Sequence, residues 1–268
     1  MKLSLLLFIL SFNIYAQNIE VLYEKYTIFD AQKSNYSMTV NDVKLSKLEV
    51  VKRLNEQMKI PKEFSLITNK EISNYKAYEK IDNNNEGSRT TSYTLSSNGG
   101  NGDLVKQFVS GFYYHEADVY GKKFVIKDTL QNFNWVLTKE TKTINGFNVK
   151  KATAKIKDVN LTAWYAVDLP YKTGPDKYQG LPGLILEVVQ VNNDDINTVI
   201  SYKAVSIIEN KKNKLELPKK GKIVSLEEYK VNYKEIIDKQ NEMISEGVSK
   251  DNKKTFQFGR FLLLYRLF

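Results

Sequence analysis

Thr162-Ala163-Trp164-Tyr165-Ala166-Val167-Asp168-Leu169-Pro170, running on through Gly174-Pro175 to Tyr178-Gln179-Gly180-Leu181-Pro182-Gly183-Leu184-Ile185-Leu186-Glu187-Val188, reads as a strand, a constrained loop and a second strand. Leu184 to Val189 is apolar on both faces except at Glu187, which marks an interior strand covered on both sides. Three of the five prolines, Pro170, Pro175 and Pro182, fall in this loop and its turn, so the chain is held in one shape as it passes between two core strands. Leu181-Pro182-Gly183-Leu184 predicts a type II turn, with proline presetting φ and glycine accepting φ > 0.

Outward from that stretch, most of the chain reads as short strands. Segments near 19–29, 36–40, 63–69, 88–95, 104–115, 120–127, 133–139, 149–156, 159–166, 184–191 and 197–207 are rich in Val, Ile, Tyr, Phe and Thr. Around Trp135 the residues alternate, Asn134, Val136 and Thr138 against Trp135, Leu137 and Lys139, as on a sheet with one wet side. Asn145-Gly146 between two such runs is a hairpin signal. The expected fold is mainly β (α+β): an antiparallel multi-stranded sheet, or an open, curved, barrel-like sheet, with one or two packed helices. One helix is predicted over 225–246, where Ser225 and Glu228 form a capping box, Tyr229, Tyr233, Ile236, Ile237, Met243 and Ile244 make an apolar stripe and Gly247 is a natural C-cap. A second is predicted over 43–58 from Leu45, Leu48, Val51 and Leu54 at helical spacing before Pro61. Residues 82–87 and 96–102 read as mobile loops, and Phe256 to Phe268 as a final buried strand closing the sheet rather than as part of a lipid-facing barrel.

Residues 1–16 carry Lys2, an apolar run from Leu3 to Leu10 and the exit segment Asn13-Ile14-Tyr15-Ala16, the pattern of a secretory signal peptide. That run is too short to cross about 30 Å of hydrocarbon, and no later stretch is long enough, so the mature chain is expected to have no transmembrane segment. Residues 17–268 are expected to form a single β-rich domain of roughly 250 residues. No cysteine follows the cleavage point, so the protein is not expected to be a lipoprotein; the same absence rules out disulfides, zinc–thiolate sites and cysteine nucleophiles. The formal net charge of +9 comes from dispersed lysines, without the basic stripe or the motif of a nucleic-acid-binding protein, so no nucleic-acid partner is expected.

Gly180-Leu181-Pro182-Gly183-Leu184-Ile185 resembles the signature of the GLPGLI family of exported Bacteroidota proteins. The likeness extends upstream through Trp135, Lys142, Ile144-Asn145-Gly146-Phe147, Lys151-Ala152-Thr153 and Ala163-Trp164-Tyr165, is specific over residues 120–190 and is weaker over 63–80. Many relatives carry a cysteine near Val149, which this chain lacks. The resemblance implies a secreted or periplasmic protein of unknown activity, often encoded beside outer-membrane transport components. It supplies no catalytic residues, and the motif reads either as a structural keystone or as a binding surface.

The candidate binding residues are those of the motif loop: Trp164, Tyr165, Asp168, Pro170, Gly174, Pro175, Tyr178, Gly180, Leu181, Pro182, Gly183 and Glu187. Asp168 reads as a polar anchor in an aromatic-walled site or as an Asx-type turn before Pro170. Glu187, the single acid of an apolar strand, needs a cation such as Lys150 or Lys151. His115 is the only histidine, which leaves no multi-histidine metal set, and it reads as a surface or strand-end residue. No catalytic residue, metal or cofactor is assigned. Three functions stay open: a non-enzymatic accessory or binding protein of the periplasm, outer membrane or cell surface, with an outer-membrane transport component as partner; a carrier of an apolar, lipid-like small molecule; and an envelope enzyme of unidentified class, for which no triad or tuned acid pair is visible.

Overall fold

The computed structural model describes residues 18–29, 39–40, 43–78, 102–193, 198–210 and 214–247. In chain order the elements are β1 (Ile19–Phe29), β2 (Thr39–Val40), β3 (Val43–Lys44), α1 (Lys47–Gln57), β4 (Lys62–Thr68), β5 (Ile72–Ala77), β6 (Leu104–Gln107), β7 (Phe112–Val119) and β8 (Lys122–Thr129). They continue with β9 (Val136–Ile144), β10 (Phe147–Ile156), β11 (Val159–Ala166), β12 (Leu184–Asn192), β13 (Thr198–Glu209), β14 (Lys222–Val224) and α2 (Leu226–Gly247). Twelve strands form one open sheet in the order β14-β8-β7-β6-β5-β4-β1-β13-β12-β11-β10-β9, while β2 and β3 pair separately. Neighbours in the large sheet run antiparallel except β14, which lies parallel to β8. Among the described residues β9 and β14 are its two edges, so the sheet is open rather than a closed barrel.

Most connections are tight because the chain supplies turn residues where they are needed. Asn145 and Gly146 take φ of 49° and 80°, the paired positive angles of a type I′ hairpin, and join β9 to β10. The run expected as one strand over 104–115 is two, since Gly111 at φ 74° turns the chain between β6 and β7. The 88–95 strand and the closing strand at 256–268 lie outside the described residues, as do the loop at 82–87 and nearly all of 96–102.

Both helices form, with differences in detail. In α2 the Ser225 hydroxyl accepts the amide of Glu228, but the Glu228 carboxylate turns to Lys222, so only half of the expected capping box is closed. Tyr229 packs edge-on against Phe124 of β8 at 5.6 Å, and Ile236 is also buried, whereas Met243 is exposed. Ser46 and Glu49 form the reciprocal box that starts α1. Among the described side chains of α1, Val50 and Val51 are buried, set against Phe29; Leu48, expected in the stripe, is 69% exposed.

Candidate binding site

β12 is the interior strand expected from its composition: Leu184, Ile185, Leu186 and Val188 are fully buried. The loop that enters it, residues 167–183, does not run over the outside of the sheet. It lies across one face, where β5, β6 and β13 all touch it. Thr173 bonds Ser73 of β5, the Asp176 carboxylate accepts the Tyr202 hydroxyl of β13 at 3.0 Å, and the Tyr23 hydroxyl of β1 donates to the carbonyl of Ile185 at 2.6 Å.

The centre of this arrangement is Lys106. Its side chain is 1% exposed, and its ammonium donates to the carbonyls of Gly174 (2.8 Å), Asp176 (2.7 Å) and Tyr178 (3.1 Å). All three ammonium protons therefore have acceptors, and one turn of loop is wrapped around a single cation. Burial pushes the Lys106 amine down to about 7, and the Asp176 carboxylate pulls the other way. His115 of β7, expected at the surface, is instead 1% exposed. It occupies the inward row of β7 with Tyr113, Ala117 and Val119, and burial pushes its imidazole down to about 4. Burial also holds the hydroxyls of Tyr75, Tyr178 and Tyr202 protonated far above the usual tyrosine range, with the Asp176 carboxylate adding to it.

The glycines separate into two roles. Gly180 takes φ of 92° at the exposed tip of the loop. Gly183 has no positive φ, so the expected type II turn is absent; what requires glycine there is crowding, because a Cβ would lie 2.1 Å from the carbonyl oxygen of Ala166. Gly174 is crowded in the same way, with Ile185 Cβ at 2.6 Å from the position a Cβ would take.

Tyr165, Gly174, Pro175, Tyr178, Leu181 and Gly183 are buried, whereas Asp168, Pro170, Gly180 and Pro182 face outward. Asp168 is not brought to the aromatic cluster. Glu187 pairs with Lys142 at 2.8 Å, not with Lys150 or Lys151, and the same ammonium lies 4.3 Å from the centre of the Trp164 ring. The exposed tip meets a cleft of about 220 Å³ bounded by Phe133, Trp135, Leu137, Gln179, Gly180 and Pro182. Trp135 Nε1 donates to the carbonyl of Gln179 at 2.9 Å, and Gln179 Nε2 donates to the carbonyl of Gln131 at 2.7 Å. From the cleft inward, Trp135, Phe133, Tyr178 and Tyr202 form a continuous run of ring contacts at 5.2, 5.5 and 5.7 Å. Among the described residues no three of His, Asp and Glu gather closely enough to hold a metal ion.

A family model described as a protein of unknown function (Porph_ging) matches residues 154–187, the end of β10, β11, the loop and the start of β12. No curated protein matches the sequence. Among solved structures, PNGF-II in its P21 crystal form is similar at 18% identity and a TM-score of 0.50, over 82% of this chain and 34% of that one. Its C2 form gives 19% identity and 0.49, over 83% and 33%. A LolA superfamily protein from Nitrosomonas europaea is similar at 7% identity and a TM-score of 0.29, over 76% of this chain and 88% of that one. The chain thus spans about a third of the length of PNGF-II, and that likeness is one of fold alone. The family matched by residues 154–187 has no assigned function.

Proposed function

We propose that this chain is an exported GLPGLI-type protein of the periplasm or outer-membrane surface that serves as a non-enzymatic binding module. Its partner contacts the tip of the motif loop, residues 179–182, and the Phe133–Trp135 cleft beside it. The observation that carries this reading is the division of the loop: residues 173–178 are clamped around Lys106, while Gly180 and Pro182 face outward against a partly exposed tryptophan. A rigid anchor under an exposed, aromatic-walled tip presents a preorganised surface, which lowers the ordering cost of binding. Against an enzymatic role stands the character of the buried polar cluster. Its histidine is neutral and enclosed, and its lysine already has three backbone acceptors.

The test has two parts. Fractionation with N-terminal sequencing is expected to find the chain starting at Gln17 in the envelope fraction, and an intact leader in the cytosol overturns export. A photo-crosslinker at Pro182 in living cells is expected to capture one recurrent envelope protein, and Trp135→Ala is expected to abolish that adduct in a protein that is less stable but still melts in one cooperative transition. An adduct unaffected by Trp135→Ala, or no recurrent adduct, overturns the assignment of the tip.

A further inference from the structure

We propose that Lys106 is a proton-operated latch on the motif loop: when its ammonium loses a proton, its grip falls from three carbonyls to two and the tip at 179–182 loosens. The latch acts on the binding surface assigned to the tip above, and so rests on that assignment while adding how it is regulated.

The Lys106 ammonium is hydrogen-bonded by neutral dipoles alone. It is buried, and among the described residues it bonds the carbonyls of Gly174, Asp176 and Tyr178 and forms no ion pair with a carboxylate. A buried ammonium without a directly bonded counter-ion is poised to give up its proton nearer to neutral pH than an exposed one. The neutral amine keeps two N–H groups and turns a lone pair towards the third acceptor. Two carbonyls stay bonded, and the third is repelled. Tyr178 is the one released, because its carbonyl is the farthest, at 3.1 Å against 2.8 Å for Gly174 and 2.7 Å for Asp176.

That carbonyl belongs to the peptide group leading into Gln179, so its release is felt at the tip. Beyond it, Gly180 N donates to the carbonyl of Lys172 at 3.1 Å, and Trp135 Nε1 donates to that of Gln179 at 2.9 Å. The bonds to Gly174 and Asp176 persist, which confines the change to the residues after the anchor.

The groups packed around Lys106 set where the latch works. Burial outweighs the Asp176 carboxylate of the loop and brings the amine down to about 7. Tyr113 of β7, opposite Lys106 in the ladder, lines a cleft with it, together with Asp128 of β8 and Lys177 of the loop. His115 of β7 is neutral above about 4. The hydroxyls of Tyr75 on β5, Tyr113, Tyr178 and Tyr202 on β13 are held protonated by burial, so they carry no charge in the neutral range. Lys177 is the other amine of the cleft, and a variant separates the two.

Two-dimensional NMR of the mature full-length protein, from about pH 5.5 to 9, tests the latch. The Lys106 Cε shift is expected to titrate near pH 7. The Gly180 amide and the Trp135 Nε1–H are expected to shift with the same midpoint and to exchange with water several-fold faster above it. Lys177→Met is expected to keep both titrations, with the midpoint raised by less than about one pH unit, and Asp176→Asn to lower it by about one. A Lys106 midpoint above about 9.5 overturns the latch. So does a Lys106 that titrates while the two tip signals stay still, or a tip titration that Lys177→Met abolishes. None of these readouts involves a partner. A tip that titrates as expected but gives no crosslink at Pro182 contradicts the binding role alone, and a tip that crosslinks without titrating contradicts the latch alone.

Discussion

The Nζ of Lys106 lies 2.7 Å from the carbonyl oxygen of Asp176, seventy residues later in the chain, and the same ammonium closes on the carbonyls of Gly174 and Tyr178. Removing the donor leaves three carbonyls in the interior without it. Lys106→Met is therefore expected to destabilise the fold by about 3 kcal/mol in urea unfolding, because buried acceptors left unsatisfied cost more than the gain from removing the buried charge. A loss under about 0.5 kcal/mol means that the loop is held by its apolar contacts instead.

The pH dependence of stability has three limbs. The folded His115 titrates at about 4 and the unfolded one near its ordinary 6.5, so between these values the unfolded chain binds the extra proton and stability falls as pH drops, by about 3 kcal/mol in all. Lys106, lowered to about 7 from 10.5, works in the same direction at higher pH, with stability rising from about 7 towards 10.5. Tyr23, Tyr75, Tyr178 and Tyr202 have raised pKa values, so their contribution is complete below about 10 and is lost above it, at roughly 1.4 kcal/mol per pH unit for each hydroxyl. Thermal melts are expected to show a maximum between about pH 8 and 10 and a steep alkaline loss. His115→Gln is expected to flatten the acid limb alone.

Gly183 and Gly180 differ in why they are glycine, and alanine separates them. Gly183→Ala forces a Cβ into the Ala166 backbone and is expected to cost more than about 4 kcal/mol or to prevent folding. Gly180→Ala meets open space at φ 92° and is expected to cost about 1–2 kcal/mol, from backbone strain. Equal losses in urea unfolding contradict this division.

The Lys142–Glu187 pair is half open to water, with side-chain exposures of 36% and 18%. A double-mutant cycle with Lys142→Met and Glu187→Gln is expected to give a coupling of about 0.5–1 kcal/mol that shrinks in molar salt. A coupling of zero assigns the role of Lys142 to its place over the Trp164 ring alone.

Much of this architecture is legible in local sequence, because hairpins and helix starts are local devices. Asn145-Gly146 specifies its turn, Ser225 its cap, and the unbroken apolar run from Leu184 specifies an interior strand. The partners of buried charges are not local. Lys106 and the loop it holds are sixty-eight or more residues apart, and Glu187 finds Lys142 across β10 and β11. A signal was nonetheless present. Period-two counting places Lys106 on the face of Leu104, and His115 in the row of Tyr113, Ala117 and Val119, so both polar residues stand where apolar ones belong. Gly183 misleads for a different reason: Leu-Pro-Gly-Leu suits a type II turn, but tertiary crowding by Ala166, invisible in the sequence, is what demands glycine there.

Native-state hydrogen exchange at the amides of Tyr178, Leu184 and Ile185, which donate to Pro175, Leu169 and Thr173, measures most directly whether the motif loop is a fixed part of the interior. In the wild-type protein these amides are expected to exchange only through global unfolding, with the same free energy as the core amides of β1. In Lys106→Met they are expected to open at lower free energy while β1 stays protected. Wild-type exchange at those three amides far faster than at β1 contradicts a loop held by the buried Lys106 amino group.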